Sequence, residues 1–503
     1  MARRSLALIA AAAVLALTLV PVAAVLIRAG GLSAFAPGDG QALRFTLVQA
    51  TLSAGFSVLF AVPVARALAR RNFPGRGLLV ALLGAPFILP VIVAVLGLIA
   101  TFGSNGIVNR GLAALGLPEM TIYGLHGVVI AHVFFNLPLA TRLVLQGWLA
   151  MPGERLRLAA SLGLSPWAMF RTLEAPMLAR ILPGAFAVIF VICLSSFAVA
   201  LTLGGGPRAT TVELAIYQAM RFDFDLGRAA SLSLLQLALA VAAGLVALRL
   251  SGGASFGAGL DRRVARWDGR GLVARLLDGG AILIVALFLL TPLTLVALRG
   301  APGLLQQGAG TLEAAWHSLS VALASTALCL LWALPLATRR GELLGLLGIA
   351  ISPLVLGTGL FLLVRPVMNP FALALPVTAL VNALVSLPFA LRILRPEAEA
   401  IRDDFGRLAG SLGLSGWAWT RWVLLPRLKR PLGFAAGLTA ALSMGDLGVI
   451  ALFADPDRAT LPLQVYRLMG SYQMEAAQGA ALLLLMASLA LFWLFDRGGR
   501  VGA

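Results

Sequence analysis

The chain has 503 residues, of which 60% are hydrophobic and only 12% charged, about half the charged share of an ordinary globular protein. That is too little polar side chain to cover a soluble fold of this size, and the mean hydropathy of +0.95 agrees. The two cysteines, Cys193 and Cys329, each sit inside an apolar run, which excludes a disulfide scaffold. The composition reads as an all-α polytopic membrane protein.

At about 20 residues per crossing, uncharged apolar runs predict helices at residues 6–27, 46–65, 78–101, 123–141, 181–203, 229–248, 277–298, 316–338, 342–364, 371–391, 431–453 and 476–495, twelve in all. Arg3 and Arg4 ahead of the first run suggest a signal peptide, but Ser5 to Ile27 is long enough to span a bilayer, so a retained helix is expected. The net charge of +18 would suit a nucleic-acid binder if the basic residues formed one patch. They fall in alternate gaps instead. The gaps after even-numbered helices and the two termini hold 29 of the 39 basic residues, among them Arg66, Arg70, Arg71, Arg76, Arg497 and Arg500. Both termini are therefore expected on the cytoplasmic side of a bacterial inner membrane, with lipid as a partner and no nucleic acid.

The chain also repeats itself, at an offset near 250 residues. Asn136-Leu137-Pro138 with Arg142 is matched by Ser386-Leu387-Pro388 with Arg392, and Leu158 to Ser165 is matched by Leu408 to Ser415. Six helices per half is an even number, so both copies stand the same way up, as parallel repeats. The expected division is a first repeat over residues 1–250, a cytoplasmic linker over 251–275 and a second repeat over 276–503. The linker contains Ser251 to Gly257 and the basic residues Arg262, Arg263, Arg266 and Arg270.

The longest cytoplasmic gaps within the halves, near 142–180 and 392–430, share one internal pattern. Ala159-Ala160, Gly163, Leu173 and Pro176 in the first copy correspond to Ala409-Gly410, Gly413, Val423 and Pro426 in the second. Small residues let another surface approach a short helix, and the glycine permits a sharp turn. Trp167, Phe170, Trp417 and Trp419 add large apolar anchors beside arginines, residue types that dominate partner contacts. A helix pair lying on anionic lipid is the alternative, but two copies with identical spacing favour a docking knob.

These loops resemble the cytoplasmic signature of the inner-membrane permeases of bacterial ABC importers, which runs EAA, then G, then I-x-L-P. Leu158 and Leu408 are taken to stand at its glutamate, Gly410 at its second alanine and Ala175 at its leucine. The resemblance covers nearly the whole chain and implies a fused two-half permease of the type I fold. Ala131 to Pro138, Leu203 to Thr211 with Glu213 to Gln218, and Ser443 to Asp446 are similar to the thiamine branch of that family. The fused layout is shared with the iron(III) branch, which stays open as an alternative. The resemblance implies two copies of a separate ABC ATPase on the two loops, a periplasmic thiamine-binding protein on the opposite face, and thiamine or its phosphates as solute.

No energy source is legible within the chain itself. The lone lysine, Lys429, is followed by Arg430, so there is no phosphate-gripping lysine followed by serine or threonine. ATP and magnesium would belong to the partner ATPase, and the chain is read as a transport subunit, with no catalytic residue, cofactor or metal of its own. A secondary carrier is a further alternative, although Asp446 is the one carboxylate well placed within a span. Asn136, Pro138, Ser195, Ser196, Ser386, Pro388 and Asp446 are the candidates for the translocation path, with Pro90 and Pro353 as additional bend points inside helices. His126, His132 and His317 lack metal-site spacing and are expected to serve packing. The external segment from Gly204 to Arg228 is a candidate landing surface for the binding protein.

Overall fold

The computed structural model describes residues 2–29, 35–83, 88–206, 209–250, 271–345, 348, 351–453 and 458–500. Most of the expected linker, residues 251–270, lies outside the described residues, as do Pro207 and Arg208.

The first half runs α1 (Ala2–Ala29), α2 (Asp39–Arg70), α3 (Arg76–Leu82), α4 (Val91–Phe102), α5 (Ile107–Ala114), α6 (Leu125–Leu149), α7 (Gly153–Ser161) and α8 (Pro166–Met169). A π turn (Phe170–Glu174) then leads into α9 (Ala175–Leu194), followed by α10 (Ala198–Leu203), α11 (Val212–Arg221) and α12 (Leu226–Leu250). The second half has α13 (Leu272–Leu304), α14 (Ala309–Leu336), α15 (Arg339–Gly345), α16 (Pro353–Val364), α17 (Ala374–Ser411) and α18 (Gly416–Trp419). A second π turn (Thr420–Leu424) leads to α19 (Leu425–Met444), α20 (Gly448–Leu452), α21 (Leu461–Gly470) and α22 (Met474–Arg500). Among the described residues there is no strand. Long helices satisfy every backbone group internally, as a bilayer demands.

Eleven helical stretches among the described residues are long and apolar enough to cross a membrane. The chain is a multi-pass membrane protein. Two expected crossings are divided: 342–364 between α15 and the 12-residue α16, and 78–101 between α3 and the 12-residue α4, which counts among the eleven only together with α5. Pro90 and Pro353 are not inside helices, which corrects the sequence expectation. Pro90 caps the start of α4 and Pro353 opens α16, places where a missing N–H costs nothing and a fixed φ helps. The runs at 181–203 and 431–453 are also interrupted, after Leu194 and after Met444.

The 250-residue offset holds for α6 to α9 against α17 to α19. It is larger upstream, because α5 has no helical counterpart and only a short 3-10 turn (Pro370–Leu373) stands in the equivalent connection.

The first helix of each half packs on the other half: α1 lies against α14 and α16, and α13 against α2 and α4. Two glycines allow these crossings. A Cβ on Gly97 of α4 would lie 2.6 Å from the carbonyl oxygen of Pro292 in α13, and one on Gly359 of α16 would lie 2.3 Å from that of Pro21 in α1. Each crossing thus sets a bare glycine against a helix containing a proline, the close backbone approach that small residues permit between membrane helices.

Candidate functional site

Helix α7 and the end of α17 stop by the same device. Leu164 N–H donates to the Ala159 carbonyl at 3.1 Å and Gly163 N–H to Ala160 at 3.1 Å, with Gly163 at φ +63°. In the second copy Leu414 donates to Ala409 at 2.9 Å and Gly413 to Gly410 at 3.1 Å, with Gly413 at φ +67°. These are paired Schellman caps, and the left-handed residue they need is the glycine of the repeated pattern. Ala159 and Ala409 are buried beneath the turn, whereas Ala160, Gly410, Gly163 and Gly413 are exposed. Pro176 and Pro426 are exposed in the first turns of α9 and α19, just past each π turn.

Around each cap the same apolar side chains face outward. Leu158 is 60% exposed and Leu408 58%, Leu162 and Leu412 are both 66%, and Trp167 is 70% against 65% for Trp417. Trp419, read from the sequence as a second anchor, is instead buried. The alignment to the EAA signature also shifts. Three residues separate its alanine pair from its glycine, so counting back from Gly163 puts its glutamate at Arg157 rather than Leu158, and at Arg407 rather than Leu408. Arg157 pairs with Glu154 at 3.0 Å on the surface.

The first loop is tied to the bundle by a buried carboxylate that sequence reading passed over. Glu174, in the π turn, accepts Arg66 of α2 at 2.7 Å and the indole N–H of Trp148 at 3.1 Å. Arg66 also stands over the Phe170 ring, 5.6 Å from its centroid. The equivalent of Glu174 is Leu424.

Deeper in the bundle, the path candidates converge on the interruptions after α9 and α19. Ser195 caps α9, and Ser196 lies 2.6 Å from Nε2 of His132, whose Nδ1 is 3.2 Å from the Ser53 hydroxyl. Asn136 donates to the His132 carbonyl at 2.9 Å and to Cys193 Sγ at 3.4 Å. The second half places Asn382 where the first has His132. Its amide donates to the Ser443 hydroxyl at 3.0 Å, and Ser443 is 2.9 Å from Ser325. Asp446 accepts from Gly448 N–H at 3.2 Å. Pro138, Ser386 and Pro388 are buried in α6 and α17 nearby. The two breaks meet at the junction of the halves, where a Cβ on Gly448 would lie 3.7 Å from both Phe197 and Asp446.

Breaking a helix in lipid leaves carbonyls without partners, and the neighbours supply them. Gln49 of α2 donates to the Cys193 carbonyl at 2.8 Å, and Gln236 of α12 to that of Leu194 at 3.0 Å. Beyond the short helices that follow the breaks, hydroxyls meet the first N–H groups of α11 and α21. Thr46 accepts from Val212 N–H at 2.9 Å and Ser318 from Leu461 N–H at 2.7 Å. His132, Ser53, Gln49 and Gln236 were not among the sequence candidates. His132 stands one helical turn before Asn136, which was the available signal. His126 bonds the Thr121 carbonyl and His317 that of Ala459.

No family model matches the chain. It is 41% identical over 474 residues to the thiamine transport system permease protein ThiP of Salmonella typhimurium, covering 90% of this chain and 88% of that protein. The ThiP protein of Brucella abortus is 39% identical over 489 residues, 93% of this chain and 90% of its own length. That of Haemophilus influenzae is 34% identical over 467 residues, 89% and 86% respectively. Alignments of this depth extend through both caps and both helix breaks, and the chain belongs to the family of thiamine transport system permease proteins.

Proposed function

We propose that this chain is the translocation subunit of an ATP-driven inner-membrane importer for thiamine and its phosphates. The observation that carries the reading is the duplicated cap, with matched exposed leucines and tryptophans beside it. A surface needed once would not be built twice, half a chain apart, with equal exposure. Two copies of an ABC ATPase dock on Leu158 to Gly163 and on Leu408 to Gly413, and ATP and magnesium reside on that partner. A periplasmic thiamine-binding protein meets the opposite face. The distribution of basic residues supports cytoplasmic termini. Closure of the ATPase pair drives the loops together and rocks the halves about their junction, opening a path past Asn136, Pro138, Ser195, Ser196, Ser386, Pro388 and Asp446 alternately to each side.

Two measurements test this. Gly163→Trp combined with Gly413→Trp strains both left-handed caps by roughly 1–2 kcal/mol each and places a bulky ring in the docking face, so ATPase co-purification is lost while membrane insertion persists. In proteoliposomes holding the permease, the ATPase and the binding protein, labelled thiamine accumulates only with hydrolysable ATP. Retained co-purification, or accumulation without nucleotide, overturns the reading.

A further inference from the structure

On the face where the Gly204–Arg228 segment lies, a cavity of about 210 Å³ opens between the halves, lined among others by Gly205, Gly206, Tyr217, Gln218, Phe222 and Tyr466. Tyr217 and Tyr466 are not neighbours by chance. Each is the sixth residue of its helix, α11 in one half and α21 in the other, so the duplication brings one tyrosine from each half to a single space. Tyr217 is held by edge-to-face contacts with Phe197, 5.2 Å between centroids, and with Phe222 at 5.7 Å. Bare backbone adds to the lining, Gly205 at φ +75° and Gly206 at φ +131°. No carboxylate is among the described residues lining the cavity. Arg221 is turned to another ring, standing 5.8 Å from the Phe371 centroid.

Two tyrosine rings, one of them held by other rings, with glycine backbone and an amide at hand, suit a planar heteroaromatic solute, which stacks on aromatic faces without needing a counter-charge. We infer that Tyr217 and Tyr466 form a transient binding site for the heteroaromatic rings of the transported solute, at the junction of the two halves. The solute's identity as thiamine rests on the proposed function; the site itself rests on the cavity. A site contributed equally by both halves is remade or dispersed whenever they rock, so the solute is held only in one state.

The test uses the complete importer in nanodiscs and proteoliposomes. Tyr217→Leu with Tyr466→Leu should reduce thiamine uptake at low concentration about tenfold, the loss expected for two ring faces. Complex assembly and binding-protein-stimulated ATP hydrolysis should remain. Tyr217→Phe with Tyr466→Phe should stay within about threefold of wild type, because the faces survive. As a check independent of that variant's folding, Tyr466→Cys should be alkylated by a maleimide more slowly when thiamine is present, with no slowing by glucose. Wild-type uptake with undiminished uptake in the leucine pair overturns the site, as does alkylation indifferent to thiamine. Failure of the wild-type importer to move thiamine would instead overturn the proposed function.

Discussion

The crossings at Gly97 and Gly359 give the sharpest test of how the halves are joined. An alanine Cβ at Gly97 falls 2.6 Å from the Pro292 carbonyl oxygen, and one at Gly359 falls 2.3 Å from that of Pro21 and 2.6 Å from its Cβ, about 1 Å inside the separation at which such atoms attract. The obstacles are backbone, which cannot swing aside, so each helix pair must part. Overpacking of this kind costs about 1–3 kcal/mol. The two sites lie on different helix pairs, so the penalties should add, to roughly 2–6 kcal/mol in the double variant. Gly55 in α2 is the control, since its added Cβ meets nothing within 4 Å. Thermal unfolding of the purified permease in detergent, followed by loss of the monodisperse peak, should rank Gly55→Ala with wild type, either single variant below it, and Gly97→Ala with Gly359→Ala lowest. A double variant that melts with wild type would refute the exchange of first helices between halves.

Three further outcomes follow from individual contacts. Gln49→Leu strands the Cys193 carbonyl at the break after α9 and should cost about 1–3 kcal/mol by the same unfolding assay, while the exposed Gln473, on the turn before α22, should tolerate leucine without loss. Tyr472 occupies the left-handed position of a cap, at φ +61° with its ring 92% exposed, so Tyr472→Gly should raise stability by about 1 kcal/mol; a fall would show that the ring has a partner. Arg66→Met takes the 2.7 Å guanidinium away from the buried Glu174 and should cost about 3–5 kcal/mol, whereas Arg66→Met with Glu174→Leu should come close to wild-type stability. Equal damage in the single and double variants would count against the ion pair.

Most of the membrane-spanning runs, the duplication and the glycine-capped turns were legible in the sequence because each is imposed locally. A bilayer demands long apolar runs, and a Schellman cap demands a glycine such as Gly163 or Gly413 in place. The helix breaks were not legible. Cys193 to Ala198 and Met444 to Gly448 carry no run of polar residues, and the groups that stabilise the first break, Gln49 and Gln236, lie far away in the chain. The exchange of α1 and α13 was equally hidden, since Gly97 and Gly359 look like ordinary membrane-helix glycines until Pro292 and Pro21 are seen against them. The larger repeat offset ahead of α6 removed the one clue that would have paired these positions.

The halves differ most in how each glycine-capped turn is joined to the interior. In the second half α17 runs from Asn382, beside the buried polar cluster, towards the cap at Gly413, a distance of about 45 Å at 1.5 Å per residue, with Pro388 and Pro396 inside the helix. Arg395 ties this helix to α15 through Glu342 at 2.7 Å, and Arg402 ties it to the end of α14 through the Ala337 carbonyl at 3.0 Å. In the first half the helix is cut: α6 ends at Leu149, and Pro152 precedes a separate α7. There Glu174 ties the π turn to Trp148 at the end of α6 and to Arg66 on α2, with a hydrogen bond and an ion pair. The second half, with Leu424 at the equivalent place, needs no such bridge because its helix is continuous. If ATPase closure moves both turns, as proposed, the two halves reach one end by different means, and only the first depends on a single buried carboxylate.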